Sequence, residues 1–218
     1  MRNIGSALGS VPGRLSDQHY EKSLAFFRFW FSIGQTHSQI PPDLIFNAIY
    51  ENRWKGPLHG NFICPTAHLL LRFVSDVESD PTFASHSTGL RSRFYAKILQ
   101  DFFDTDLGVV YAGRSLPERH FYMDVNLIAH CANLGYMEED TIHNRILQSL
   151  ISHDQLYNHQ ADALVILFKI AGATFGAYAD PAVVDCCFEL LKSHSHCSRA
   201  MGGLIQASAS SVQKRLRS

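Results

Sequence analysis

Along most of the chain, apolar residues recur every three or four positions, and strict alternation is almost absent. The first spacing lines up side chains on one face of an α-helix, whereas alternation would line them up on one face of a strand. From Asp17 onward, Tyr20, Leu24, Phe27 and Phe31 keep the helical interval. "PPDLIFNAIYENR" puts its prolines at a helix start, where a missing N–H costs nothing. Thr66 opens a helix with Leu69, Leu70, Phe73 and Val77 on one face, and "LRSRFYAKILQDFF" carries Leu90, Phe94, Ile98 and Phe102. Leu116-Pro117-Glu118 starts another, with Phe121, Val125, Ile128 and Ala132 inside and Gly135 as its stop. Three more stripes follow: Ile142, Ile146, Leu147 and Leu150; Leu164, Phe168, Ala171 and Phe175; Val184, Cys187, Phe188 and Leu191. A last helix is expected from near Ser198, weakened by Gly202 and Gly203. Gly108 to Tyr111 suggests a brief extended piece, too short to imply a sheet. The pattern predicts an all-α protein of about eight or nine helices. Residues 1–16, rich in Gly and Ser, are expected to form a flexible arm, and residues 17–218 a single all-helical domain.

One helix breaks the two-faced pattern. "FFRFWF", residues 26–31, is apolar almost all round. Such a helix is buried on two sides or covered by a partner. Phe26, Phe27, Trp30 and Phe31 are therefore the candidate binding residues.

The second half also repeats. Shifting the chain by 41 residues lays "ANLGYMEEDTIHNRILQSL" over "ATFGAYADPAVVDCCFELL". Ala132 meets Ala173, Leu134 meets Phe175 and Gly135 meets Gly176. Ile142 meets Val183, Ile146 meets Cys187, Leu147 meets Phe188 and Leu150 meets Leu191. Each unit reads as helix, small-residue turn, acidic or proline-led start, second helix. Over roughly residues 117–197 the chain resembles armadillo- and HEAT-type repeat proteins in this period. The resemblance implies stacked helical hairpins, an α-solenoid whose neighbours bury each other's faces and whose surface binds peptides or helices. The first half has no copy in the same register, so an irregular helical bundle is the competing architecture. The polar "LIQASASSVQKRLRS" suits either the cap of a stack or a fragment whose next repeat is absent.

Composition narrows the partners. Hydrophobic residues make up 46% and charged residues 18%. The charged share is below that of typical soluble domains, which points to extra buried or partner-covered surface. A net charge of −1 provides no global basic field for a polyanion, so nucleic acid is not the expected partner. The local exception is Lys214, Arg215 and Arg217, which also suit a cationic helix end. Five cysteines, two of them adjacent, do not form a disulfide framework. The first residues contain no apolar run of signal-peptide length; Arg2 and Arg14 ahead of Asp17 are the trace of a transit-like composition. No stretch approaches the ~20 apolar residues of a membrane span. Cytoplasmic or nuclear placement is expected.

Three clusters carry candidate chemistry. "CCFELLKSHSHC" packs Cys186, Cys187, His194, His196 and Cys197 together. Zinc needs three or four converging ligands, but adjacent helical residues diverge by about 100°. The repeat also pairs Cys187 with Ile146, as a small hydrophobe. His194, His196 and Cys197 stay as the weak metal set. "QDFFDTD" puts Asp101 and Asp104 on one helical face, a spacing that resembles part of the aspartate-rich magnesium motif of terpene synthases, without its second metal-binding segment. Lys97, four residues before Asp101, fits a solvated charged face instead. "SHDQ" holds His153-Asp154, the dyad of the HD phosphohydrolases, whose other ligands have no defensible match here. Cys64, with His59 and His68 nearby, is a Cys–His pair in sequence only. Neither a nucleophile elbow, nor a P-loop, nor a dinucleotide fingerprint is present.

The expected function is a non-catalytic interaction or scaffold domain that binds a protein or peptide and uses no cofactor. The alternative is a metal-dependent all-helical hydrolase or lyase built on Asp101/Asp104 or His153/Asp154.

Overall fold

The computed structural model describes residues 2–37, 41, 43–58, 62–105, 115–137, 142–152 and 156–195. Among the described residues the protein is all-helical, with ten α-helices, four short 3-10 turns and no strand. The count slightly exceeds the expected number because very short helices, four and seven residues long, carry too little periodicity to be read. The helix expected from Ser198 and the extended piece at Gly108 to Tyr111 lie outside the described residues. Two compact units emerge: Met1–His59 with Cys64–Ile98, and Gly60–Ile63 with Leu99–Ser218.

The first unit contains α1 (Arg2–Leu8), α2 (Tyr20–His37), α3 (Leu44–Tyr50), α4 (Ala67–Ser79), α5 (Ala84–Ser87) and the part of α6 (Leu90–Phe103) up to Ile98. On α2 the predicted stripe is the buried one: Tyr20, Leu24, Phe27 and Phe31 all face inward. Phe27 meets Phe73 of α4 edge-on at 5.2 Å, and both Phe27 and Phe31 meet Phe83, at 5.5 and 5.0 Å. Edge-to-face geometry adds to the burial of these rings. Asp80 ends α4 and accepts from the Thr82 amide at 2.9 Å, capping the next turn.

The flexible arm expected over residues 1–16 is instead folded onto this unit. Leu8, Val11 and Leu15 are buried, and α1 packs on α2 and α3. The fit requires glycine at position 9, where a Cβ would stand 2.6 Å from Nδ2 of Asn52. That amide is itself bonded to the Ala48 carbonyl at 2.9 Å. Leu8, Val11 and Leu15 keep the i, i+3, i+7 interval, but glycines and Pro12 break the run into a short helix and a 3-10 turn, which conceals the docking.

The second unit is built from longer helices: α7 (Ser115–Asn133), α8 (Ile142–Ile151), α9 (Asn158–Tyr178) and α10 (Pro181–Ser195). The most extensive packing is α7 on α9; α8 packs on α9 and α10, and α10 on α9. Residues 121–129 of α7 are all buried, so this helix is a core element covered all round. It ends as the sequence predicts. Gly135 has φ +69°, Tyr136 N–H donates to the Cys131 carbonyl at 3.0 Å and Gly135 N–H to that of Ala132 at 3.1 Å, a Schellman stop. Asp180 accepts from the Ala182 amide at 2.8 Å and starts α10 just before Pro181.

Helix α9 is long and apolar enough to cross a membrane by length and composition alone, which the reading of the sequence overlooked. Leu164, Leu167, Phe168 and Phe175 are spent on the interior of this unit. The helix kinks at Ala171, whose φ of −126° and ψ of 25° break the ladder. Asn133 at the end of α7 fills the break. Its amide donates to the Ile170 carbonyl at 2.6 Å, and its oxygen accepts from the Thr174 hydroxyl at 2.8 Å.

Candidate functional site

The candidate binding set on α2 divides between two faces. Phe27 and Phe31 are core residues with no exposure at all. Phe26 is 37% exposed and Trp30 half-buried, on the opposite side of the helix. Phe29, absent from the candidate set, is 59% exposed and completes that face. The three rings touch edge-on, Phe26 to Trp30 at 6.2 Å and Phe29 to Trp30 at 6.0 Å. The signal for Phe29 was available: 26, 29 and 30 stand at i, i+3 and i+4, out of phase with 20, 24, 27 and 31. Arg28, between the faces, turns away to pair with Asp80. Burial alone would raise the Asp80 carboxyl, but the bonds from Arg28 and Thr82 outweigh it and hold the carboxyl below its usual range.

The second unit holds a polar cluster that no sequence pattern announced. Tyr122 on α7 donates its phenol to Oδ2 of Asp162 on α9 at 3.2 Å. Glu118, one turn before Tyr122, adds a second negative charge that acts on both. Burial pushes the Asp162 carboxyl up to about 6; the bond from Tyr122 works against this rise and Glu118 adds to it. Burial, then the charges of Asp162 and Glu118, raise the Tyr122 phenol far above its ordinary value. On its other side the Tyr122 ring stacks flat on Phe62, with centroids 4.0 Å apart. Phe62 has φ +56°, a conformation few non-glycine residues adopt. The fully buried Asn126 holds it there, donating to the Phe62 carbonyl at 2.8 Å and to that of Tyr122 at 2.7 Å.

Among the described residues the metal candidates do not converge: no three His, Cys, Asp or Glu side chains are grouped to hold an ion. Asp101 sits in the last turn of α6, where its carbonyl accepts from the Thr105 hydroxyl at 2.7 Å, and Asp104 is exposed just beyond it. His194 reaches Oδ1 of Asn158 at 2.9 Å, and burial lowers its pKa. His153, Asp154, His196 and Cys197 lie outside the described residues. Cys186 is exposed and Cys187 fully buried, so the adjacent thiols diverge as helical geometry requires. Burial, with Cys186 beside it, pushes the Cys187 thiol up to about 12. Cys64 is buried and touches the Thr66 hydroxyl at 3.4 Å, while His68 is exposed. No family model, curated protein or solved structure matches the chain.

Proposed function

We propose that the protein is a non-catalytic interaction module and that a partner protein or peptide docks on the outer face of α2. The observation that carries this reading is the aromatic trio on one face of α2, with Phe26 and Phe29 exposed and Trp30 half-buried beside them. Single exposed hydrophobes are ordinary, but adjacent large aromatics concentrate the area and rigidity that binding hot spots use. Spacing of i, i+3 and i+4 is what an α-helix presents to a groove or to a second helix.

The finer architecture belongs to the same proposal: hairpins α7–α8 and α9–α10 are two copies of one unit. Supporting it, Ile146 and Cys187, Leu147 and Phe188, and Leu150 and Leu191 are buried in pairs. Asn133 and Thr174, which the 41-residue shift superposes, are hydrogen-bonded to each other. The copies diverge at the turn: Leu134 is exposed and Phe175 buried, and Gly135 ends α7 while Gly176 lies inside α9.

Affinity capture with wild type, Phe29→Glu and Leu134→Ser, an exposed position of the other unit, tests the docking face, with circular dichroism as the control for folding. A partner retained by wild type and L134S but lost by F29E supports the reading. An identical set of captured proteins for all three folded forms refutes it.

A further inference from the structure

Asp162 is a carboxyl of the second unit that burial displaces toward neutrality, and it is mechanically linked to a strained residue. The link runs through Tyr122, which bonds Asp162 at one end and lies flat against Phe62 at its face. Phe62 and Ile63 belong to the second unit, whereas the chain from Cys64 belongs to the first. The backbone is thus pinned to α7 at a residue held in a left-handed conformation, an arrangement that persists only when its surroundings over-determine it. Asn126 supplies one constraint and the Tyr122 ring the other.

We propose that the Tyr122–Asp162 pair is a proton-operated anchor: proton uptake at Asp162 tightens the hold of α7 and α9 on Phe62. With Asp162 ionised, two negative groups, Asp162 and Glu118, share the edge of the α7–α9 packing. Among the described residues neither Lys nor Arg pairs with Asp162. Among the described residues the ionisable groups that act on Asp162 are Tyr122 and Glu118, both on α7; His159 stands one turn earlier on α9, and His194 of α10 reaches α9 at Asn158. A proton on Asp162 removes one of the two like charges and the cost of keeping it buried, while the carboxyl still bonds the phenol. Because the folded-state value lies above that of an unfolded aspartate, the folded protein gains a proton, and the anchor strengthens as pH falls through about 6. His159 works in the opposite sense. Burial lowers its pKa, so charging it on acidification loosens the same region. The signature of Asp162 is therefore a difference between wild type and variant.

Chymotrypsin cleavage after Phe62, scaled to an unfolded peptide of the same sequence at each pH, reads the anchor directly. In wild type the scaled rate should fall by roughly tenfold between pH 7.5 and pH 5, about one pKa unit's worth of linkage. Asp162→Asn, a neutral isostere, should already be slow at pH 7.5 and change little. Glu118→Gln should lower the pH at which the change occurs, and serves equally if D162N fails to fold. Tyr122→Phe keeps the ring against Phe62 but loses the bond to Asp162, so its scaled rate should change little with pH. His159→Gln should leave the pH dependence in place. Wild-type pH dependence in D162N or in Y122F, an unmoved midpoint in E118Q, or a dependence abolished by H159Q would each overturn the proposal.

Discussion

The two units depart from the apolar-inside, polar-outside rule in opposite directions. The first closes its interior with rings, Phe27, Phe31, Phe73 and Phe83, and its buried polar groups Ser23, Arg53, Asp80 and Ser87 sit at turns and in the end turns of helices. Its surplus is on the surface, where α2 shows Phe26 and Phe29 with the half-buried Trp30 beside them. The second unit buries its anomalies: Asp124 and Asn126 lie in mid-helix on α7, and His159 and Gln160 in the first turn of α9. An exposed aromatic face and a buried polar group are the two departures that carry information, since scattered exposed hydrophobes do not. Recognition is accordingly to be sought on the outside of the first unit, and conformational control inside the second.

The sharpest way to break that contrast is on a single helix. Phe27→Ala should lose roughly 3–5 kcal/mol, because it empties a site enclosed by Phe73 and Phe83. Phe29→Ala, two positions on, should stay within about 0.5 kcal/mol of wild type in stability while losing partner binding. Urea denaturation of both variants is the measurement. Comparable destabilisation would mean that α2 has no free face. In the second unit, Asn126→Ala should cost roughly 1–3 kcal/mol, since it leaves the part-buried Phe62 carbonyl without its donor. A loss below about 0.5 kcal/mol would show that Phe62 is not held by Asn126 at all.

What was legible in the sequence follows from what periodicity encodes. The stripes on α2, α4, α6, α8 and α10 named the buried residues, since each of those helices has one dry face and one wet one. The stop at Gly135 was legible because only a left-handed residue closes a Schellman turn cheaply. The N-terminal helix was not, as its docking relies on Gly9 and Gly13 leaving room for Asn52 and Lys55, and the absence of a side chain sends no signal of its own. The apolar length of α9 was hidden for a related reason: His159, Gln160 and Asp162 interrupt the apolar run near its start. For the sites, "FFRFWF" drew attention to the right helix but not to the right face; only the phase of the helix separates Phe29 from Phe31. The Tyr122–Asp162 pair was beyond reach because its members are 40 residues apart and belong to no motif.

Gly9→Ala turns the N-terminal point into an experiment. The added methyl should displace Asn52 and its bond to Ala48, at a cost of about 1 kcal/mol. Limited proteolysis within the first 16 residues should accelerate, while cleavage in the second unit stays unchanged. Equal protection in wild type and variant would return the segment to the flexible arm that its composition suggests.

The smallest expected effect concerns the paired cysteines, where two neighbours in sequence live in the two environments that distinguish the molecule's surface from its interior. Cys186 is exposed and Cys187 occupies the interior stripe with Phe188 and Leu191. A thiol raised to about 12 is almost entirely protonated at neutral pH, and the thiolate is the reactive form. Short exposure of the native protein to a maleimide at pH 7.5, followed by peptide mass mapping, should therefore label Cys186 and leave Cys187 unmodified until denaturant is added. Cys186→Ser should change stability by less than about 0.5 kcal/mol, whereas Cys187→Ser puts a hydroxyl where the other hairpin has Ile146 and should cost roughly 1–3 kcal/mol. Equal labelling of the two thiols would mean that the second helix of this hairpin does not present the face that its pairing with Ile146, Leu147 and Leu150 requires, and the two-copy reading of the second unit would fall with it.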